Sequence, residues 1–185
     1  FIKRAAPVCR VLRDNGYEAV LVGGSVRDLI LGQNSNDCDI ATNAHPDKEE
    51  ELFETTLAIG KAYGTITVCI DEDGIQQQVQ VTTYRSESTY SNKRHPDQIV
   101  FETELIEDVK RRDFTCNALA YDPLTHNLHD YVGGVTDIAA KCLRVVGEPS
   151  ARFAEDSLRL WRCCRFIAQL GFQPDPQSWK ALCDA

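Results

Sequence analysis

A glycine-marked joint between a strand and a helix limits what this chain can become. Tyr17 to Val22 is a short, largely apolar run that stops at Gly23-Gly24-Ser25. Helical character then governs Val26 to Leu31 until Gly32 ends it. Strand, glycine turn and helix in that order expose amide groups and the positive end of a helix dipole, a place where phosphate binds, and Gly24 lets the backbone come close to it. Arg27, in the first turn, can add a charge-assisted fork to a phosphate oxygen; alternatively it is a surface partner for Asp28.

Thirteen residues after Gly24 comes Asp37-Cys38-Asp39-Ile40-Ala41, which reads as a second strand bounded by the polar loop 33–36 and by Thr42-Asn43. Alternate residues of a strand face the same way with alpha carbons roughly 6.6 Å apart. Asp37 and Asp39 can therefore converge on one ion or bridge two, and carboxylate oxygens suit magnesium. In two-metal phosphoryl transfer, ions roughly 4 Å apart serve the attacking and the leaving oxygen, and this pair fits that geometry. A solvated turn is the alternative for an isolated Asp-x-Asp. A phosphate cradle just upstream favours the metal reading.

The rest of the chain reads as α+β. Val8, Val11 and Leu12 mark a first helix, and Pro46 opens another carrying Leu52 and Phe53. Gly64 to Ile70 and Ile75 to Thr83 form a hairpin around Asp71-Glu72-Asp73-Gly74. Tyr84 to Gln98 reads as a long polar loop, 107–120 as helical, and Leu128 to Val132 as a short strand before a turn at Gly133-Gly134. Ser150 to Leu170 has the apolar set of one long helix closed by Gly171, and Asp175-Pro176 starts another.

With 43% hydrophobic and 26% charged residues among 185, the composition is that of a globular protein able to bury a core. Neither a membrane-spanning apolar run nor a secretory leader is visible, so no membrane partner and a cytoplasmic location are expected. The eight cysteines are scattered without metal-ligand spacing and read mostly as small buried apolar residues; His45, His95, His126 and His129 read as surface or core residues. The absence of methionine implies that Phe1 is not a translation start and that the chain is part of a longer protein. A net charge of -8 argues against binding nucleic acid through bulk charge. Charge is uneven, however: Glu49, Glu50, Glu51 and Glu54 suggest an acidic helical face, whereas Lys110-Arg111-Arg112 and Arg159, Arg162 and Arg165 are basic.

Four ordered blocks carry a specific resemblance: Gly23 to Asp28 with Leu31-Gly32 and Asp37-Cys38-Asp39; Arg111-Arg112-Asp113-Phe114-Thr115-Cys116-Asn117-Ala118; Asp130 to Gly134; and Glu155-Asp156-Ser157-Leu158-Arg159 through Arg162 and Arg165. Together they resemble the class II tRNA nucleotidyltransferase and bacterial poly(A) polymerase branch of the polymerase β nucleotidyltransferase superfamily. The resemblance implies a catalytic head over residues 1–140, with a small mixed, largely antiparallel sheet and flanking helices. It also implies the start of a helical, nucleotide-selecting neck over 141–185, and a further C-terminal body that holds most of the tRNA.

The implied activity is template-independent transfer of CMP and AMP from CTP and ATP to the 3' end of tRNA, with Mg2+ as cofactor. Asp37 and Asp39 are the implied catalytic and metal-binding residues. Gly24, Ser25, Arg27, Arg112, Asp113, Asp156, Arg159, Arg162 and Arg165 are the implied nucleotide-binding residues. Arg112 belongs near the phosphates and Asp113 on a ribose hydroxyl, whereas Arg111 is expected in a helix-surface ion pair. Asp156 and Arg159, three apart on one helix, can present an acceptor beside a donor fork. Cytosine and adenine each offer an amino donor next to a ring-nitrogen acceptor, so that edge suits both and rejects guanine and uracil. An intrahelical salt bridge of Arg159 with Glu155 or Asp156 is the plainer alternative.

Asp130 with Gly133-Gly134 is expected as a flexible turn between head and neck. The loop with Arg85, Glu87, Tyr90, Lys93 and Arg94 corresponds to a mobile element in related enzymes. Gln80 stands where relatives often carry a third acid, which leaves deprotonation of the primer hydroxyl to metal polarisation and Asp37 or Asp39. Poly(A), CC-only or A-only addition at the same site, a non-catalytic RNA-binding domain, and a metal phosphohydrolase are the alternatives. Ala62 to Val68 looks more like the tRNA-repair branch than the poly(A) branch, which usually has a basic stretch there.

Overall fold

Every residue of Ala19–Val22 is buried, because this strand lies inside a sheet covered on both faces. In the computed structural model, which describes residues 1–72, 74–87 and 99–185, the order is α1 (Ile2–Asp14), β1 (Ala19–Val22), α2 (Gly24–Ile30), β2 (Asp39–Thr42), α3 (Pro46–Leu52), β3 (Thr56–Leu57), β4 (Thr65–Glu72), β5 (Ile75–Thr83), β6 (Arg85–Glu87) and β7 (Ile99–Phe101). It continues with α4 (Leu105–Lys110), β8 (Leu119–Tyr121), β9 (Leu128–Asp130), α5 (Gly134–Ala139), β10 (Cys142–Leu143), α6 (Pro149–Glu155), α7 (Leu158–Leu170), β11 (Gln173–Pro174) and α8 (Pro176–Asp184).

The main sheet runs β3-β4-β5-β2-β1-β8-β9 and is antiparallel except for β2 beside β5. This is the mixed, largely antiparallel α+β head that the motifs imply. Alternation sends Leu21 and Ile40 to one face, where Ala5, Val8, Cys9 and Leu12 of α1 pack, and Val20, Val22 and Ala41 to the other, under Leu105 and Val109 of α4. The larger cluster does not stop near residue 140: it joins Phe114, Leu119 and Ile138 to Leu143, Val145, Phe153, Cys163, Phe166, Phe172 and Ala181.

Several local expectations are corrected. The strand with the two acids begins at Asp39, so Asp37 precedes it, although the amide of Gln80 still donates to the Cys38 carbonyl at 3.0 Å. Of the helical segments expected over 107–120, the structure has α4, which ends at Lys110, and a single 3-10 turn at Thr115–Asn117. Beyond α4, long-range pairing captures the backbone: Thr115 donates to the Arg144 carbonyl, Val146 donates to the Asp113 carbonyl, and Leu119–Tyr121 joins the sheet. The single helix from Ser150 to Leu170 is two, because Asp156 adopts an extended backbone and its Oδ1 accepts from the Leu158 amide at 2.9 Å, restarting the helix.

The expected loop after Tyr84 begins as strand β6, which pairs with β7 just beyond Gln98; Tyr90, Lys93 and Arg94, like His95, lie outside the described residues. The Gly133-Gly134 turn is packed into place. Asp130 Oδ1 accepts from the amides of Val132, Gly133 and Gly134, its Oδ2 accepts from Val135, and a Cβ on Gly134 would fall 2.3 Å from the Thr115 carbonyl oxygen. Glu49, expected on a solvated acidic face, is fully buried.

Candidate active site

The register that pairs Leu21 with Ile40 carries the chain out of β1 at Gly23, directly beside the start of β2 at Asp39. Gly23 sits at φ 79°, ψ -145°, a conformation open essentially to glycine alone. A Cβ there would meet Arg112 Nη1 at 3.5 Å and Asp39 Oδ2 at 4.0 Å. At Gly24 a Cβ would meet Arg27 Nη2 at 3.4 Å. The two glycines thus lie at contact distance from the place where an acid, Arg112 and Arg27 come close.

Around this point lies a cavity of about 700 Å³. Asp37 and Asp39 line it together with Gly24, Arg27, Arg112, Asp113, Asp156, Arg159, Arg162 and Arg165. Ten of the residues singled out in the sequence therefore meet at one place, from four separate stretches of chain. Ser25 is the exception. It is fully buried and its hydroxyl donates to the Val22 carbonyl at 3.1 Å, so its side chain braces the strand-to-helix turn and does not face the cavity.

Each charged group has a built-in support. Arg27 donates to Asp28 Oδ1 through Nε and Nη2 at 2.9 and 2.7 Å and to Asn117 Oδ1 through Nη1 at 2.6 Å, and its guanidinium lies 5.6 Å from the Phe166 ring centre. The Asp28 contact considered from sequence is present, yet Arg27 also reaches the cavity. Asp108, fully buried, accepts from Arg111 at 2.7 Å and from Arg112 at 2.8 Å. Burial acts to raise its pKa, but Arg112 and Arg111 outweigh this and hold the carboxyl below its ordinary value. Arg111 makes the expected ion pair while also lining the cavity.

Asp113 accepts from Arg162 Nε at 2.5 Å and from the Phe114 amide at 2.9 Å. Arg159 is nearly buried; it donates to Glu155 at 2.7 Å, a pair that spans the break between α6 and α7 and is not the intrahelical bridge considered from sequence, and to the Arg152 carbonyl at 2.9 Å. Asp156 lies between two helices and does not share a helix face with Arg159, although the Arg159 amide donates to the Asp156 carbonyl at 3.0 Å and both residues line the cavity. Arg162 and Arg165 stand over the Phe166 ring at 5.2 and 4.9 Å.

The two acids form the cavity's anionic corner. Burial pushes the Asp39 carboxyl above its ordinary value, the Asp37 charge adds to this, and Arg112 pulls it partly back. A hard cation relieves that crowding, so the donor set fits a divalent metal. Among the described residues no group of three or more acidic, histidine or cysteine side chains is arranged to hold a metal, so water and substrate oxygens would complete the coordination of an ion on this pair. Gln80 lies level with Asp39 on the adjoining strand. Cys38, between the acids, is turned inward with its thiol pushed up to about 11, first by burial. Cys9 and Cys116 are pushed to about 12 by burial, as expected of core thiols.

Sequence reasoning assigned no role to Asp108, Asn117, Phe166, Arg85, Tyr63 or Gln169, although the last five line the cavity. Asp108 was discoverable from its i,i+3 and i,i+4 spacing to Arg111 and Arg112. Asn117 lay inside a quoted motif. Nothing local marks Tyr63, Arg85 or Gln169.

Comparison with known proteins agrees with this geometry. The family model for the poly A polymerase head domain matches residues 19–144. A CCA-adding enzyme of Bacillus pumilus is 45% identical over 178 residues, 96% of this chain and 43% of that protein. A CCA-adding enzyme of Enterococcus faecalis is 43% identical, over 98% of this chain and 44% of that protein. The chain thus spans less than half the length of these relatives. Among solved structures, the Bacillus stearothermophilus CCA-adding enzyme in complex with CTP superposes with a TM-score of 0.87 at 37% identity, covering 97% of this chain and 42% of that one. A tRNA nucleotidyltransferase complexed with a primer tRNA and an incoming ATP analog gives 0.76 at 29% identity, covering 95% of this chain and 48% of that one. Motif order, sheet topology and the match from β1 to the end of β10 converge: the chain belongs to the poly A polymerase head domain family.

Proposed function

We propose that the protein containing this chain adds CMP and AMP from CTP and ATP to the 3' end of tRNA without a nucleic-acid template, with Mg2+ as the cofactor held by Asp37 and Asp39. The observation that carries this reading is the single cavity in which that acid pair faces seven arginines. In this reading residues 1–140 act as the catalytic head and 141–185 as the first part of a nucleotide-selecting neck, while parts of the protein outside this chain hold most of the tRNA.

The reaction joins the primer 3' oxygen to the α-phosphorus and breaks the bond from that phosphorus to the bridging oxygen of pyrophosphate. The hydroxyl proton passes to Asp37 or Asp39 and then to solvent, and pyrophosphate leaves. A bound divalent ion supplies Lewis-acid stabilisation of the developing oxygen charges. Arg27, Arg112, Arg162 and Arg165 offset the triphosphate charge from fixed positions, so little reorganisation accompanies the reaction. Asp113 accepts from a ribose hydroxyl while Arg162 holds it in place. Asp156 and Arg159 offer the acceptor and donor shared by the cytosine and adenine edges.

Incorporation of labelled CTP, ATP, GTP and UTP onto tRNAs ending before, within and after CCA tests the proposal on the complete protein. Stepwise CMP then AMP addition is expected. Uptake of ATP alone onto arbitrary RNA overturns it in favour of poly(A) synthesis. Binding of tRNA with no transfer, unchanged by Asp37→Ala, overturns it in favour of a non-catalytic role.

A further inference from the structure

Arg152, in α6, has a largely buried side chain. The described residues that line the main cavity include Arg111, Arg112 and Arg159 but not Arg152, which stands behind them. A buried guanidinium needs partners, and these lie on both sides of the cavity wall. Its Nη1 donates to Glu155 Oε2 at 2.5 Å, and its Nη2 donates to the Arg112 carbonyl at 3.1 Å and to the Arg111 carbonyl. Those carbonyls follow the last turn of α4, where acceptors are left over and the negative end of the helix dipole lies. Arg159 comes to the same two places. Its Nη1 donates to the same Glu155 oxygen at 2.7 Å and to the Arg152 carbonyl at 2.9 Å, and its Nη2 donates to the Arg111 carbonyl at 3.5 Å.

We propose that Arg152 is a positioning residue that keeps the base-reading Arg159 in register with the phosphate-binding segment at Arg112, so that base selection depends on a side chain set behind the nucleotide site. This rests on the transferase reading above and adds what holds its base-reading and phosphate-binding halves together. A donor and acceptor tell one base edge from another only while they stay fixed relative to the phosphates. The phosphate side has supports of its own: Asp108 aims Arg112, Asn117 holds Arg27, and Asp113 holds Arg162. Arg159 belongs to α7, and its own bond to the Arg111 carbonyl is at the limit of hydrogen-bonding distance. Arg152 carries the link instead. Its fork takes two consecutive carbonyls beyond α4 while its other nitrogen shares the Glu155 oxygen with Arg159. A lysine would keep the charge but has no planar fork to span those carbonyls and the carboxylate together.

The test is titration of the complete protein with CTP, UTP and inorganic tripolyphosphate, which carries phosphates without a base, for the unaltered chain, Arg152→Lys and Arg152→Met. In both variants the Kd for CTP is expected to rise about tenfold, the scale of one charge-assisted hydrogen bond lost at the base edge, while those for UTP and tripolyphosphate stay within about twofold. Incorporation onto tRNA should show the same loss as a CTP-over-UTP preference in kcat/KM lowered about tenfold. Thermal unfolding checks each variant, and Arg152→Lys, which keeps the buried charge, carries the test should Arg152→Met unfold. Equal weakening of all three ligands overturns the proposal, because a residue with a merely structural role does that. An unchanged preference for CTP in the variants overturns it as well. An unaltered protein that binds CTP and UTP alike overturns the base-edge reading and this proposal with it. If the unaltered protein extends no RNA, the transferase reading fails, an outcome separate from the binding comparison.

Discussion

Gly23 is required by its backbone, which occupies a region closed to L-residues, whereas a Cβ there would meet Arg112 and Asp39 only at ordinary contact distance. Gly23→Ala is expected to cost about 1–3 kcal/mol of stability from backbone strain, measured by urea unfolding. Asp108 has the complementary role of keeping Arg112 aimed from behind. Asp108→Asn leaves two guanidiniums without their shared counter-charge, and a loss of roughly 3 kcal/mol is expected in urea unfolding, with a raised nucleotide KM. The acids and arginines of the motifs were legible because chemistry of this kind needs those residue types. Their supports were not, since Asn117 and Phe166 act through contacts that the chain makes only after folding. Ser25 misled for the reverse reason: a hydroxyl in a glycine turn at a helix start looks like a ligand, but its first obligation is to a buried carbonyl.

In α3 the acidic run Glu49-Glu50-Glu51 conceals one residue unlike its neighbours. Glu49 is buried beneath β5, accepting from the Thr83 hydroxyl at 3.2 Å, and burial pushes its pKa from 4.5 to about 8. Thr83 opposes the shift and Glu50 adds to it. Between pH 4.5 and 8 the folded protein holds a proton on this group that the unfolded chain has released, so its effect is a fall in stability as pH rises through that window. Glu49→Gln is expected to flatten that part of the stability profile, read from urea midpoints across the range. A helical period locates α3 without telling which of consecutive glutamates turns inward. The same limit applies at α6 and α7. Apolar spacing continues smoothly from Phe153 to Leu170, and the break appears only through the extended backbone of Asp156. Strand β8 was hidden likewise, because Leu119–Tyr121 is too short to show alternation and owes its form to pairing with β1 and β9. Long periodic elements such as α1, β4 and β5 were readable, as their patterns are local.

Both the packing and the cavity run across the boundary expected near residue 140. Phe153, Cys163, Phe166, Phe172 and Ala181 share one apolar cluster with Phe114, Leu119 and Leu143, and Arg152 donates to the Arg112 carbonyl across the same divide. A fragment ending at residue 140 is therefore expected to lose cooperative thermal unfolding, whereas residues 1–185 melt in one transition; calorimetry on the two distinguishes the outcomes. The uneven distribution of charge belongs to this level too. The chain carries a net charge of -8, yet its main cavity sets seven arginines against four carboxylates. The excess of arginines over the carboxylates lining the same space favours mobile anions whenever no substrate is there. On the proposed function, nucleotide uptake exchanges with those anions, so sulfate and inorganic phosphate are expected to compete with it, as is the pyrophosphate that the proposed reaction releases.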